Sequence, residues 1–382
     1  MKAADAVDET PAARVGAAVV YSSSMRQMAI TLMQPFADLG DTDAMFNLGA
    51  LLSSRDPDEA RWRFEQAVDR GDIGAMNNLG VLLAGSDPDE ARRRFEQAAD
   101  LGDTGAMFNL GVLLAGSDPD EARRWYEQAA DLGRPRAMFN LGVLLEGSDQ
   151  DEAQRRYEQA ADLGHTGAMN NLGAMLAGND PDEARRRYGQ AADLGHTGAL
   201  NNLGAMLAGS DPEDARRRYE QAADLGHTGA MFNLGVLLAG SDPDEARRRY
   251  GQAANLGHTG AMNNLAAMLE DSDRDEAISW CTRAAVAENP AAMNNLAGLL
   301  IKEGDLAGAG RWADSLTNCL TPGDGIEELI AQQLHTSLTE IKRMLGRPPA
   351  EIAQQQPEGS PQRADRRATP RPTTGPRRSP RP

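Results

Sequence analysis

The chain has 382 residues, a formal net charge of −18 and only 4% aromatic residues, which is low for a globular core and suits thin helical layers packed by Ala, Leu and Met. No apolar run reaches the length of a membrane span, and the acidic start MKAADAVDET is unlike a secretory signal. Cys281 and Cys319 lack metal-ligand spacing, so no structural disulfide or metal is expected and the chain reads as cytoplasmic.

In chain order, residues 1–20 show no clear period and are read as a flexible N-terminus. Residues 21–43 carry the worn pattern of a helix that recurs downstream. Ala29, Met33, Phe36, Ala37 and Gly40 stand 31 residues before Ala60, Phe64, Ala67, Val68 and Gly71, with Pro35 interrupting. This is read as a degenerate N-terminal capping half-repeat. From 44 to 316 one unit recurs nine times: a tetrad of the type Ala-Met-Phe/Asn-Asn begins at Ala44, Ala75, Ala106, Ala137, Ala168, Ala199, Ala230, Ala261 and Ala292, always 31 residues apart. A fixed period of this size marks a stacked-repeat architecture.

One copy, residues 75–105, reads as two short helices. Ala75, Met76, Leu79, Gly80, Leu82 and Leu83 form an apolar stripe at helical spacing, ended by Gly85 in the left-handed conformation that glycine accepts. Asp87 caps the second helix, Pro88 suits its first position and Glu90 completes a capping box. The second helix is expected to bury Ala91, Phe95, Ala98 and Leu101. Asp89–Arg93 and Glu90–Arg94 pair on its outer face. Gly102 ends it, and Thr104 caps the next first-type helix. Gly80, Ala91 and Ala98 let the two helices approach closely. Two helices this short enclose no core alone, so stability comes from stacking neighbours.

The ninth copy replaces the SDPDEA turn with Lys302-Glu303-Gly304-Asp305-Leu306-Ala307, one residue longer, after which Ala309 and Trp312 resume the pattern. A loop, 317–323, leads to a capping-box start, Asp324-Gly325-Ile326-Glu327, and an amphipathic helix over 324–346 carrying Ile326, Leu329, Ile330, Leu334, Leu338, Ile341 and Leu345. It reads as a C-terminal cap on the stack rather than a dimerising helix. Residues 347–382 hold eight arginines against Glu351, Glu358 and Asp365, with prolines throughout, and read as a disordered basic tail.

The pattern Ala-Met-x-Asn-Leu-Gly followed by Glu-Ala-x-x-x-Tyr/Phe-x-x-Ala-Ala-x-x-Gly resembles the tetratricopeptide (TPR) repeat and its relative, the Sel-like repeat, over roughly residues 29–316. The junction Ala98-Ala99-Asp100-Leu101-Gly102 is more Sel-like; the short turn Gly85 to Glu90 is more TPR-like. The resemblance implies an all-α fold, a right-handed α-solenoid of stacked helix–turn–helix repeats. Its first-type helices would line a concave surface used for protein contacts.

His165, His196, His227 and His258 recur in step, but equivalent residues of stacked helices lie about 8–10 Å apart, too far for one metal, and the same place holds Asp72, Asp103 and Arg134. A polar turn residue is the better reading. Asn47, Asn78, Asn109, Asn140, Asn171, Asn202, Asn233, Asn264 and Asn295 occur in every copy. Each is read as bonding the adjoining helix in preference to a bound peptide. The methionines of the tetrad are read as interhelical packing. The arginine triplets are balanced by acids and make a solvated face, not a nucleic-acid surface.

The more informative position precedes the invariant asparagine: Phe46, Asn77, Phe108, Phe139, Asn170, Asn201, Phe232, Asn263 and Asn294. A core would not tolerate exchange of a large aromatic for an amide, so the position is expected to be exposed and to read the partner in the groove, phenylalanines as anchors and asparagines as hydrogen-bonding contacts. No nucleophile–base pair, carboxylate dyad or phosphate loop stands out, so neither an enzyme nor a cofactor is expected. The reading is a non-catalytic scaffold holding a protein or peptide segment in the concave groove. The alternative is a regulatory adaptor whose tail contacts nucleic acid, a membrane, an SH3-like domain or the solenoid itself.

Overall fold

The computed structural model describes residues 23–319 together with Arg343. The readings of residues 1–20, of the helix over 324–346 apart from Arg343 and of the tail over 347–382 lie outside the described residues. Among those described, nineteen helices and no strand are present.

The chain divides into two units at Asp242. The first holds α1 (Ser23–Asp38) and then pairs of a first-type and a second-type helix. These are α2 (Thr42–Leu52) with α3 (Pro57–Val68), α4 (Ile73–Leu83) with α5 (Pro88–Asp100) and α6 (Thr104–Leu114) with α7 (Pro119–Asp131). There follow α8 (Pro135–Leu145) with α9 (Gln150–Asp162), α10 (Thr166–Leu176) with α11 (Pro181–Asp193), α12 (Thr197–Leu207) with α13 (Pro212–Asp224), and then α14 (Thr228–Leu238). The second unit holds α15 (Pro243–Asn255), α16 (Thr259–Leu269), α17 (Arg274–Val286), α18 (Pro290–Glu303) and α19 (Leu306–Cys319). Within each unit successive helices pack together. First-type helices also meet the next of their kind, as α2 meets α4, α4 meets α6, α12 meets α14 and α16 meets α18. They therefore make a wall. The architecture is an all-α repeat solenoid.

The sequence sets the ends of these helices. In the second-type helices the aspartate before the proline is the cap: Asp87 Oδ1 accepts from the Glu90 amide at 3.1 Å, and Asp56, Asp118, Asp180 and Asp211 do the same. The first-type helices are capped one residue earlier than expected. Asp103, not Thr104, accepts from the Ala106 amide at 2.6 Å, and Thr104 is the first helical residue. Left-handed glycines end the second-type helices, such as Gly71 (φ 83°) and Gly102 (φ 90°), and in the ninth copy Gly304 (φ 83°) ends the first-type helix α18. Gly85 is not among them. The Leu83 carbonyl already receives the Ser86 and Asp87 amides at 2.9 and 2.8 Å, so the turn closes without a left-handed residue.

Small residues decide the packing. The alanines Ala60, Ala91, Ala122, Ala153, Ala184 and Ala215 are fully buried, beside Phe64, Phe95, Tyr126, Tyr157, Tyr188 and Tyr219. A Cβ on Gly80 would stand 2.6 Å from the Phe95 ring, and one on Gly111 would stand 2.4 Å from Tyr126. The eighth copy changes both partners, pairing Ala266 with buried Cys281, whose thiol is pushed up to about 11 by burial and by Glu270. In the ninth copy the longer turn brings buried Ala313 to the aromatic position, not Trp312, which is half-buried. Leu101 departs from expectation. It is 57% exposed, because as the C-cap residue before Gly102 it has left the packed face, and Ala99 is buried instead. The methionines of the tetrad are buried, save half-buried Met76.

Candidate partner-binding wall

The variable position falls on the first-type helices: Phe46, Asn77, Phe108, Phe139, Asn170, Asn201 and Phe232 in the first unit, Asn263 and Asn294 in the second. Seven are half-buried, but Asn77 and Phe108 are buried, at 0% and 3% exposure, against the expectation of an open position. The cause at Phe108 is local. Most copies place glycine second in the next first-type helix, and that glycine faces the preceding variable side chain. A Cβ on Gly74 would stand 3.2 Å from Phe46, and one on Gly167 would stand 3.4 Å from Phe139. Over Phe108 the corresponding residue is Arg136. The guanidinium carbons of Arg136 and Arg134 lie 5.6 and 5.5 Å from the ring centroid, covering it. Asn77 Oδ1 accepts from Asn109 Nδ2 at 2.8 Å, a bond that half-buried Asn170, Asn201 and Asn263 also make, while its own Nδ2 is buried without a hydrogen-bond partner.

The invariant asparagines bond across copies, and the variable residue of the preceding copy selects the partner. Where that residue is Asn, the two amides meet: Asn109 with Asn77, Asn202 with Asn170, Asn233 with Asn201 and Asn295 with Asn263, at 2.8–3.1 Å. Where it is Phe and the buried ring of that copy is a tyrosine, the asparagine turns to the hydroxyl, as Asn140 does to Tyr126 and Asn171 to Tyr157, both at 3.2 Å. A continuous chain of donors results in the first unit. It runs from Asn233 to Asn201, Asn202, Asn170, Asn171 and Tyr157, whose hydroxyl donates to Glu146 Oε1 at 2.6 Å. Burial and Glu146 both raise the Tyr157 pKa, which keeps the phenol a donor. Sequence reasoning foresaw a bond to the adjoining helix but missed that the variable amide is its acceptor; the coincidence of Asn at both positions was the available signal.

The repeated histidines are helix caps. Nδ1 of His165, His196, His227 and His258 accepts the amides of Ala168, Ala199, Ala230 and Ala261 at 3.0–3.1 Å, replacing the aspartate of earlier copies. An accepting Nδ1 requires a neutral ring with its proton on Nε2. Burial lowers all four pKa values; for His165, burial first and then Arg136 and His196 bring it to about 4. The His165 ring also stacks on Phe139 with centroids 4.6 Å apart. Among the described residues no group of three His, Cys, Asp or Glu is placed to hold a metal.

The outer face carries ion pairs of a slightly different pattern from that expected. Glu90 takes both Arg93 and Arg94, while Arg92 joins Glu96 and Glu121 of the next copy. None of the described helices is long and apolar enough to cross a membrane.

Comparison with known proteins places this geometry. A Sel1 repeat model matches residues 42–72, 135–165, 166–196, 198–227, 228–258 and 259–285, and a tetratricopeptide repeat model matches 80–137. Among solved structures, c5321, a protective antigen present in uropathogenic Escherichia coli strains and displaying an SLR fold, is similar with a TM-score of 0.58 and 23% identity. The match covers 81% of this chain and 79% of that one. A Sel1 repeat protein from Oxalobacter formigenes is similar with a TM-score of 0.57 and 23% identity, over 78% of this chain and 98% of that one. No curated protein matches by sequence.

Proposed function

The chain belongs to the tetratricopeptide/Sel1-like repeat family, and from that premise we propose that it is a non-catalytic interaction scaffold whose first-type helices hold a peptide or protein segment. One observation carries this reading. On the first-type helices one position alternates between phenylalanine and asparagine, and the following copy's invariant asparagine finds a partner beside either, Asn77 in one case and Tyr157 in the other. The framework is thus indifferent to the exchange, which leaves the identity of that side chain to serve recognition. The wall of the first unit offers Phe46, Phe139 and Phe232 as half-buried aromatic anchors. Phe108, being covered, is a packing residue at rest.

The reading is tested by panning a random dodecapeptide library against the full chain and repeating the measurement on Phe139→Asn and Phe232→Asn. These substitutions install the residue that neighbouring copies already carry, so the fold is retained. Selected peptides should lose about tenfold or more in affinity for the variants, with melting midpoints nearly unchanged. Peptides indifferent to both changes would remove the wall from consideration. The basic tail, outside the described residues, plays no part in this reading.

A further inference from the structure

The helix α1 keeps the register of the second-type helices but not their chemistry. Met28, Leu32 and Phe36 stand 31 residues before Glu59, Arg63 and Ala67. In later copies this face meets the preceding second-type helix through charges: Arg63 reaches back to Asp38 at 2.9 Å, and Arg156 reaches Asp131 and Arg187 reaches Asp162, both at 3.8 Å. Ala67 is fully buried. Among the described residues no copy precedes α1, yet here the face is apolar. Met28, Leu32 and Phe36, four apart, form one stripe and are 65%, 63% and 60% exposed, and Leu39 extends it beyond the helix end. The end of a repeat array that meets water needs a polar outer face. This end has the reverse, large apolar side chains where α3 carries Glu and Arg.

We propose that the stripe pairs with the same stripe of a second copy, joining two chains at their α1 helices about a two-fold axis. The proposal stands apart from the scaffold reading, since α1 carries no residue of the first-type wall. Electrostatics single out a second copy as the occupant. Two bodies of net charge −18 repel each other, so they can meet only where the facing surfaces are neutral. α1 supplies that surface. Its charged residues are Arg26 and Asp38 alone, and Asp38 is paired with Arg63, whereas α3 and α5 each begin with two acids. A charged guest would find no opposite charge along the stripe. The polar side chains near it are bonded within the helix, Thr31 Oγ1 donating to the Gln27 carbonyl at 2.9 Å and Gln34 Nε2 to Asp38 Oδ1 at 3.0 Å, so they can leave water without losing a partner. Residues four apart make a ridge, and two such ridges fit each other's grooves. A patch that binds its own likeness closes at two copies.

Light scattering of the full chain as it elutes from gel filtration tests this. The mass should rise toward twice that of one chain as the loading concentration is raised. The dimer should tighten with salt, because screening relieves the repulsion of two acidic bodies and leaves the apolar contact intact. Leu32→Glu/Phe36→Glu should remain monomeric at the highest loading, with a melting midpoint at high dilution close to that of the wild type, because both side chains are mainly exposed. Met28→Lys, a milder change at the edge of the stripe, should weaken the dimer about tenfold. A chain that is monomeric at every loading overturns the proposal. So does a dimer that the double Glu variant and Met28→Lys leave intact, or one that dissociates as salt is raised.

Discussion

At the scale of single residues, the molecule shows where one side chain departs from what its backbone position demands. Glu288 adopts φ 60° at the place where eight other helix ends or turns use a left-handed glycine, such as Gly257 and Gly226. Glu288→Gly should raise stability by about 1 kcal/mol, read from the urea midpoint, unless glycine's extra freedom in the unfolded chain offsets the relief. The four histidine caps make stability pH-dependent with a definite sign. Their folded pKa values lie below the ordinary 6.5, so the unfolded chain binds protons first as pH falls. The stabilisation is complete above about 6.5 and is lost as pH falls below it, for His165 progressively toward about 4. Melting followed across that window should show a falling midpoint, and replacing His165, His196, His227 and His258 by Asp should remove the histidine part of the slope. Each cap contributes about 0.5–2 kcal/mol.

At the scale of the helix pair, the contact between a glycine and an aromatic ring fixes how closely the two helices approach. Gly111→Ala should cost about 1–3 kcal/mol, because the added methyl would meet the Tyr126 ring far inside van der Waals contact. The eighth copy shows the compensated form, Ala266 with Cys281. Gly111→Ala combined with Tyr126→Cys should therefore cost less than the sum of the two single changes, a coupling that a double-mutant cycle measures directly. Both helices of a pair were legible from the 31-residue period, because capping and apolar spacing are local signals. Which residue of the last turn faces inward was not. Leu101 and Ala99 both sit at plausible helical spacing, and only the exit of the chain into left-handed Gly102 turns Leu101 outward.

At the scale of the whole array, the copies of a unit are tied by amide bonds that run from one first-type helix to the next. Asn109→Ala should cost about 1–3 kcal/mol by leaving the buried Asn77 carbonyl oxygen without its donor. In a nearest-neighbour array the loss should be local. Native-state hydrogen exchange should quicken in α4 to α7, with copies farther along the first unit much less affected. Uniform acceleration across the unit would mean that the unit opens as one cooperative block.

The amino-acid sequence alone determined the repeat, its helices, the second-type caps and the position whose identity varies, because each is written in local spacing or local chemistry. Only the tertiary structure decided which of those variable side chains are covered. Phe108 and Asn77 belong to the same sequence class as Phe139 and Asn170, yet they are buried. Phe108 is roofed by two arginines from the following copy, and the amide bonds of the wall tie asparagines 32 residues apart. Such contacts join residues that periodicity treats as equivalent and independent, so no reading of a single copy could contain them.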